Sequence, residues 1–153
     1  MRLKMMSYEI PPYVGVGKLR FGMSPSMVAT MIGEPRFSCC DTDADATTQY
    51  WHDNGLQLTF LRRGNSLASI SMHSNISDVS LPGIAFDWSR SKSIYESLIH
   101  LDPSAMTTVG IIVFFKYGIA VSGFQDEDGG GKSITAFREG QWTPEDPFLK
   151  RVR

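Results

Sequence analysis

Two acidic runs have the residue types and spacing that could do chemistry. Asp41, Asp43 and Asp45 alternate as at the start of a calcium loop, and Asp126, Glu127 and Asp128 precede three glycines and Lys132-Ser133. A helix-loop-helix calcium site needs glycine at its sixth position and a bidentate glutamate at its twelfth. Ala46 and His52 stand there, so the turn and the last ligand are missing. The second run ends like a phosphate loop, but such a lysine must open a helix whose amides hold the anion. Here strand-like SITAF follows, and three acids would repel phosphate. Both runs therefore read as acidic solvated loops, or as loops that face a basic protein surface.

Other chemistries find less support. Gly15-Val16-Gly17 is too short for a dinucleotide fingerprint, because Arg20 occupies the place of its third glycine. His52, His73 and His100 stand singly, without zinc-ligand spacing. No Gly-x-Ser-x-Gly elbow occurs, and no cysteine–histidine pairing follows from spacing. The reading is thus non-enzymatic, with neither metal nor cofactor. Of the three tryptophans, Trp51 in a strand and Trp88 before a helix suit a core, whereas Trp142 beside Pro144 suits a half-exposed contact. The predicted partner-binding set is Asp41, Asp43, Asp45, Asp126, Glu127, Asp128 and Trp142.

These residues need elements to hold them, and the chain laid on itself supplies a plan. The segment 17–35, GKLRFGMSPSMVATMIGEP, resembles 83–103, GIAFDWSRSKSIYESLIHLDP. Met27, Val28, Met31 and Ile32 recur as Ile94, Tyr95, Leu98 and Ile99, each set with the spacing of one helical face. Further on, 51–60 lies over 115–124, and Ser69-Ile70-Ser71 lies over Ser133-Ile134-Thr135. Ser24 is a predicted N-cap with Pro25 first in the helix and Gly33 at its end. Asp53-Asn54-Gly55 is a hairpin signal between strands 47–52 and 56–61, followed by a strand over 66–73. The second copy should have strands near 109–116, 118–125 and 132–138. The predicted fold is α+β: two tandem β-α-β-β-β units, about 13–74 and 79–138, with antiparallel sheets sharing one core and helices on one side. Residues 139–153 read as a loosely held tail docked by Trp142.

Composition agrees with a single globular domain. The 153 residues are 42 % apolar and 20 % charged, with a net charge of −1. That balance gives no reason to expect nucleic acid or an anionic membrane as partner. The opening MRLKMMSYEIPPY has no apolar stretch behind its charges, so no secretory signal is expected. The only cysteines, Cys39 and Cys40, are adjacent and read as small side chains near a loop in a reducing compartment. A cytoplasmic protein is expected, as a monomer or as a homodimer formed through exposed strand edges.

Gly22, Met23, Ser24, Val28, Gly33 and Pro35, then Tyr50, Trp51, Leu58, Phe60, Leu67 and Ile70, carry a resemblance. They are similar to the repeat of small bacterial proteins of the BamE-like and β-lactamase-inhibitor-like group. The resemblance implies a duplicated protein-binding fold. It also implies a likeness to cytoplasmic immunity proteins that neutralise a cognate toxin by occluding its active site. The alternative expectation is a small-molecule or lipid binder using a cleft between the two repeats.

Overall fold

The computed structural model describes residues 7–42, 45–51, 55–124 and 131–152. Alternating apolar residues build β6 (Leu56–Leu61) and β7 (Ser66–His73), and β5 (Ala46–Trp51), buried only at its two ends, pairs along β6. Leu56, Leu58 and Phe60 of β6 are buried, while Gln57, Thr59 and Leu61 between them are half-buried. Such alternation marks a sheet with one face on the core. Before them run the two-residue strands β1 (Tyr8–Glu9), β2 (Gly15–Val16) and β3 (Leu19–Arg20), helix α1 (Pro25–Ile32) and strand β4 (Phe37–Asp41). After them come β8 (Val79–Leu81), β9 (Ile84–Ala85), helix α2 (Ser91–Leu101) and β10 (Met106–Thr108). The chain ends with β11 (Ile111–Phe114), β12 (Ile119–Ser122), β13 (Ser133–Phe137) and β14 (Lys150–Arg151).

Nine of these strands form one sheet, ordered β14-β10-β11-β12-β13-β7-β6-β5-β4. All of its neighbouring pairs are antiparallel. Its centre is the β7–β13 pairing, in which Ser71 lies directly opposite Thr135. Their hydroxyls are 2.7 Å apart. A small sheet, β1-β8-β9, and the β2–β3 pair are separate from it in hydrogen bonding, and their Tyr8, Val16, Leu19, Val79 and Leu81 pack into the main core.

The expected α+β fold of two tandem β-α-β-β-β units, with antiparallel sheets sharing one core, is not the one adopted. The chain is mostly β, with helices of only 8 and 11 residues and a single continuous nine-stranded sheet. The extra strands arise where apolar alternation is absent. All five residues of β4 are exposed, β10 is half-buried throughout, and β14 is two exposed cations. Sheet hydrogen bonds, rather than burial of a patterned face, make these segments strands. The supposed loose tail is therefore held: Leu149 is buried, and β14 pairs with β10.

One face of the sheet carries the main core. Leu58, Phe60, Ile70, Met72, Phe114, Ile119 and Ile134 pack there with Val28 and Ile32 of α1 and Leu98 of α2. At the start of α1, the Ser24 hydroxyl accepts the Met27 N–H at 3.2 Å, and Pro25 is the first helical residue. Gly33 closes the helix at φ +90°. The predicted four-residue apolar face is only half used, since Met27 is 53 % exposed and Met31 is exposed as well. Trp51 and Trp88 hang on the same core, their indole N–H groups donating to the carbonyls of Gly33 and Ile76 at 3.4 and 2.7 Å.

Candidate functional site

The second face of the sheet differs between its two halves. Over β10–β13 it is covered. Val113, Ala120, Phe137 and Leu149 form a second buried cluster, with Tyr13, Met106, Ile111, Phe115 and Trp142 packed against it. Tyr13 holds this layer down at φ +64°, its hydroxyl donating to the Phe115 carbonyl. Burial, and then the nearby carboxylates of Asp102 and Glu139, push the Tyr13 phenol above its ordinary pKa. Gly118 leaves no room for a side chain there: a Cβ would sit 3.2 Å from the Tyr13 N and ring. The covering chain leaves a shallow groove of about 260 Å³ between Trp142 and strands β11–β13, with Ser122, Ser133 and Thr135 among its lining residues.

Over β5, β6 and β7, continuing to Ser133 and Thr135 of β13, the same face joins neither buried cluster. The register places Thr48 and Tyr50 of β5 beside Gln57 and Thr59 of β6, then Ser69, Ser71 and His73 of β7. Each of these side chains is half-buried. They satisfy one another across the strands. Thr48 and Thr59 hydroxyls are 3.2 Å apart, and the Gln57 amide nitrogen lies 3.1 Å from Nε2 of His73. Partial burial lowers the His73 pKa, which keeps the ring neutral at pH 7. Cross-strand hydroxyl pairs of this kind stabilise a sheet and fix rotamers. Among the described residues these seven positions carry no Asp, Glu, Lys or Arg; Arg138 reaches the Ser66 hydroxyl at the edge of the face, 3.5 Å away. The face offers donors and acceptors in a fixed plane, but no hydroxyl here is hydrogen-bonded to the imidazole in a nucleophile–base pair.

At the border of this patch Phe37 of β4 stacks on Tyr50, ring centroids 4.5 Å apart. Phe37 is 51 % exposed. Cys39 and Cys40, expected near a loop, instead occupy the middle of edge strand β4, both free and exposed.

Of the predicted partner-binding residues, Asp41, Asp45 and Trp142 fall among the described residues. Asp41 ends β4, and Asp45 follows at φ +52°, its carboxylate 3.7 Å from Nε of Arg62. Both occupy the sheet end where Ala46 meets Leu61. Asp43, Asp126, Glu127 and Asp128 lie outside the described residues. The stems that flank 125–130, at Ser122 and Ser133, stand at the opposite sheet end, beside His73. Trp142 is half-buried over the covered half. Five strand spacings separate β4 from β12, or about 24 Å. Among the described residues of this set, Asp41 and Asp45 stand at one end of the sheet and Trp142 over its covered half. The neutral face between them was missed, although its signal lay in the uncharged polar positions alternating along 48–73.

Among the described residues no three His, Cys, Asp or Glu are placed to hold a metal ion, and no helix is long and apolar enough to cross a membrane. Comparison with protein-family models, with curated proteins and with solved structures finds no match to this chain.

Proposed function

We propose that this chain is a non-enzymatic protein-binding module, and that its partner is a bacterial toxin whose active site it occludes. The observation that carries the binding reading is the charge-free, half-buried face over β5–β7 and β13. The centre of a protein interface is depleted in charge and enriched in aromatics, with hydrogen bonds spread across it. Thr48, Tyr50, Gln57, Thr59, Ser69, Ser71 and His73 have that character. The face spans roughly 14 Å across four strands and roughly 14 Å along β7, or about 200 Å², from strand spacing and rise. A standard interface takes about 800 Å² from each partner, so the rims must contribute. Asp41 and Asp45 lie on one rim, and the acidic residues 126–128 fall in the sequence between β12 and β13. Rim charge speeds encounter with a basic cleft, and the neutral centre holds the complex. The toxin assignment follows the inhibitor-like resemblance of 22–35 and 50–70. Two free, exposed cysteines suit the reducing cytoplasm in which this reading puts the chain.

The small-molecule alternative needs an opening between the two halves. There the halves meet through five consecutive paired residues of β7 and β13, and the groove near Trp142 belongs to the second half alone. The test is capture of a stoichiometric protein from the native host, followed by an assay of its activity. Inhibition that saturates at one chain per captured protein supports the proposal. Capture without inhibition removes the toxin assignment, and failure to capture a protein removes the binding reading.

A further inference from the structure

We propose that a second copy of this chain pairs with β4, so that two nine-stranded sheets continue into one. The two outer edges of the sheet are unlike. Strand β14 is short and basic, Lys150–Arg151, the usual protection against edge pairing. Strand β4 has five residues, FSCCD, all exposed, with a regular register against β5 and neither proline, lysine nor bulge. Its outer backbone groups are a template for another strand.

The occupant is specified by the strand itself. An isologous pair relates each residue to its counterpart by a two-fold axis. Only the antiparallel register centred on Cys39 pairs all five residues of β4. It sets Cys39 against the second copy's Cys39, Ser38 against Cys40 and Phe37 against Asp41. It also brings Arg36, which precedes the strand, to the Asp41 end of the other copy, so opposite charges meet at both ends. A slip in either direction shortens the pairing, and one of the slips brings in Pro35, which has no N–H to give. The two charge-free faces then lie on the same side of the joined sheet. This inference does not depend on what that face binds.

The register makes Cys39 a reporter. Directly opposed residues of an antiparallel pair have Cβ atoms about 4.5–5.5 Å apart, close enough for a disulfide after a small shift. Sedimentation should give twice the 17.0 kDa chain mass at concentrations of about 50 μM, falling on dilution by mass action. Added diamide takes two hydrogens from the two Cys39 thiols, is reduced to its hydrazine, and leaves a reducible covalent dimer. That product should form with wild type and Cys40→Ser but not with Cys39→Ser. Cys39→Lys sets two ammonium groups opposite each other in the dimer but leaves them solvated in the monomer. It should sediment as a monomer, with the Tm that wild type has when diluted to its monomer. A wild-type monomer at this concentration, a dimer indifferent to Cys39→Lys, or cross-linking through Cys40 would each overturn the proposal. If a different protein covers this edge, the isolated chain stays monomeric, which is the first of those outcomes.

Discussion

Asp102 is 1 % exposed and joins the end of α2 to the turn between β11 and β12. One carboxylate oxygen accepts the Ser104 N–H at 3.0 Å and the Ser104 hydroxyl; the other accepts the Lys116 N–H at 3.0 Å. Asp102→Ala leaves two backbone donors without their acceptor beside a buried core. The Ser104 hydroxyl can turn to solvent, since Ser104 is exposed, so it adds little. Hydrogen bonds to a charged group contribute about 1.5–3 kcal/mol each, so the loss should be about 3–6 kcal/mol. At roughly 3 °C per kcal/mol for a chain this size, Tm should fall by roughly 9–18 °C. Asp102→Asn keeps one acceptor oxygen and should cost about 1–2 kcal/mol. Urea titration followed by circular dichroism measures both. An alanine variant within about 0.5 kcal/mol of wild type, the level of an inert surface change, would refute the anchoring role. So would an asparagine variant as costly as alanine.

Leu149→Ala should cost about 2–4 kcal/mol, because it opens the cluster with Val113, Ala120 and Phe137. The same titration checks it, and a negligible loss would mean the C-terminal segment is not docked. His73 has its pKa lowered by burial in the native state, so the unfolded chain binds its proton at higher pH. Its contribution is therefore full above about pH 6.5 and is lost as pH falls below that value. The Tm of His73→Gln relative to wild type should rise between pH 7.5 and 5.5; a constant difference would exclude this linkage. Gly118→Ala combines φ +65° with a Cβ 3.2 Å from Tyr13. It should cost at least about 1–2 kcal/mol, and a neutral result would show that Tyr13 does not pack there.

The segments legible from sequence are those whose burial is patterned. Ser24-Pro25 set the start of α1, and alternation over 56–73 set β6 and β7, because local chemistry and the core agree there. Trp51 was readable as core for the same reason. Strands β4, β10 and β14 were not, since Phe37-Ser-Cys-Cys-Asp41 and Lys150-Arg151 bury no alternating face. Long-range pairing alone makes them strands, and the mostly β outcome turns on them. Met27 and Met31 fit a helical stripe yet stay exposed, because only the narrower pair Val28 and Ile32 reaches the sheet. The acidic runs were visible in the sequence, but the place of Asp41 and Asp45 at one end of the sheet depends on strand direction. The neutral face required knowing that residues 142–149 cover one half of the sheet and leave the other half open.

Affinity across the open face tests the central claim most directly. With the captured partner in hand, titration calorimetry should show Thr59→Lys with Ser69→Lys raising Kd at least about 100-fold, or 2.7 kcal/mol. This variant chain stays folded at the assay temperature, although the lost Thr48 pair and the two facing cations lower its Tm. Val109→Lys, at a 96 % exposed site on the covered half, should leave Kd as it is. Unaltered affinity in the double lysine variant would contradict the account.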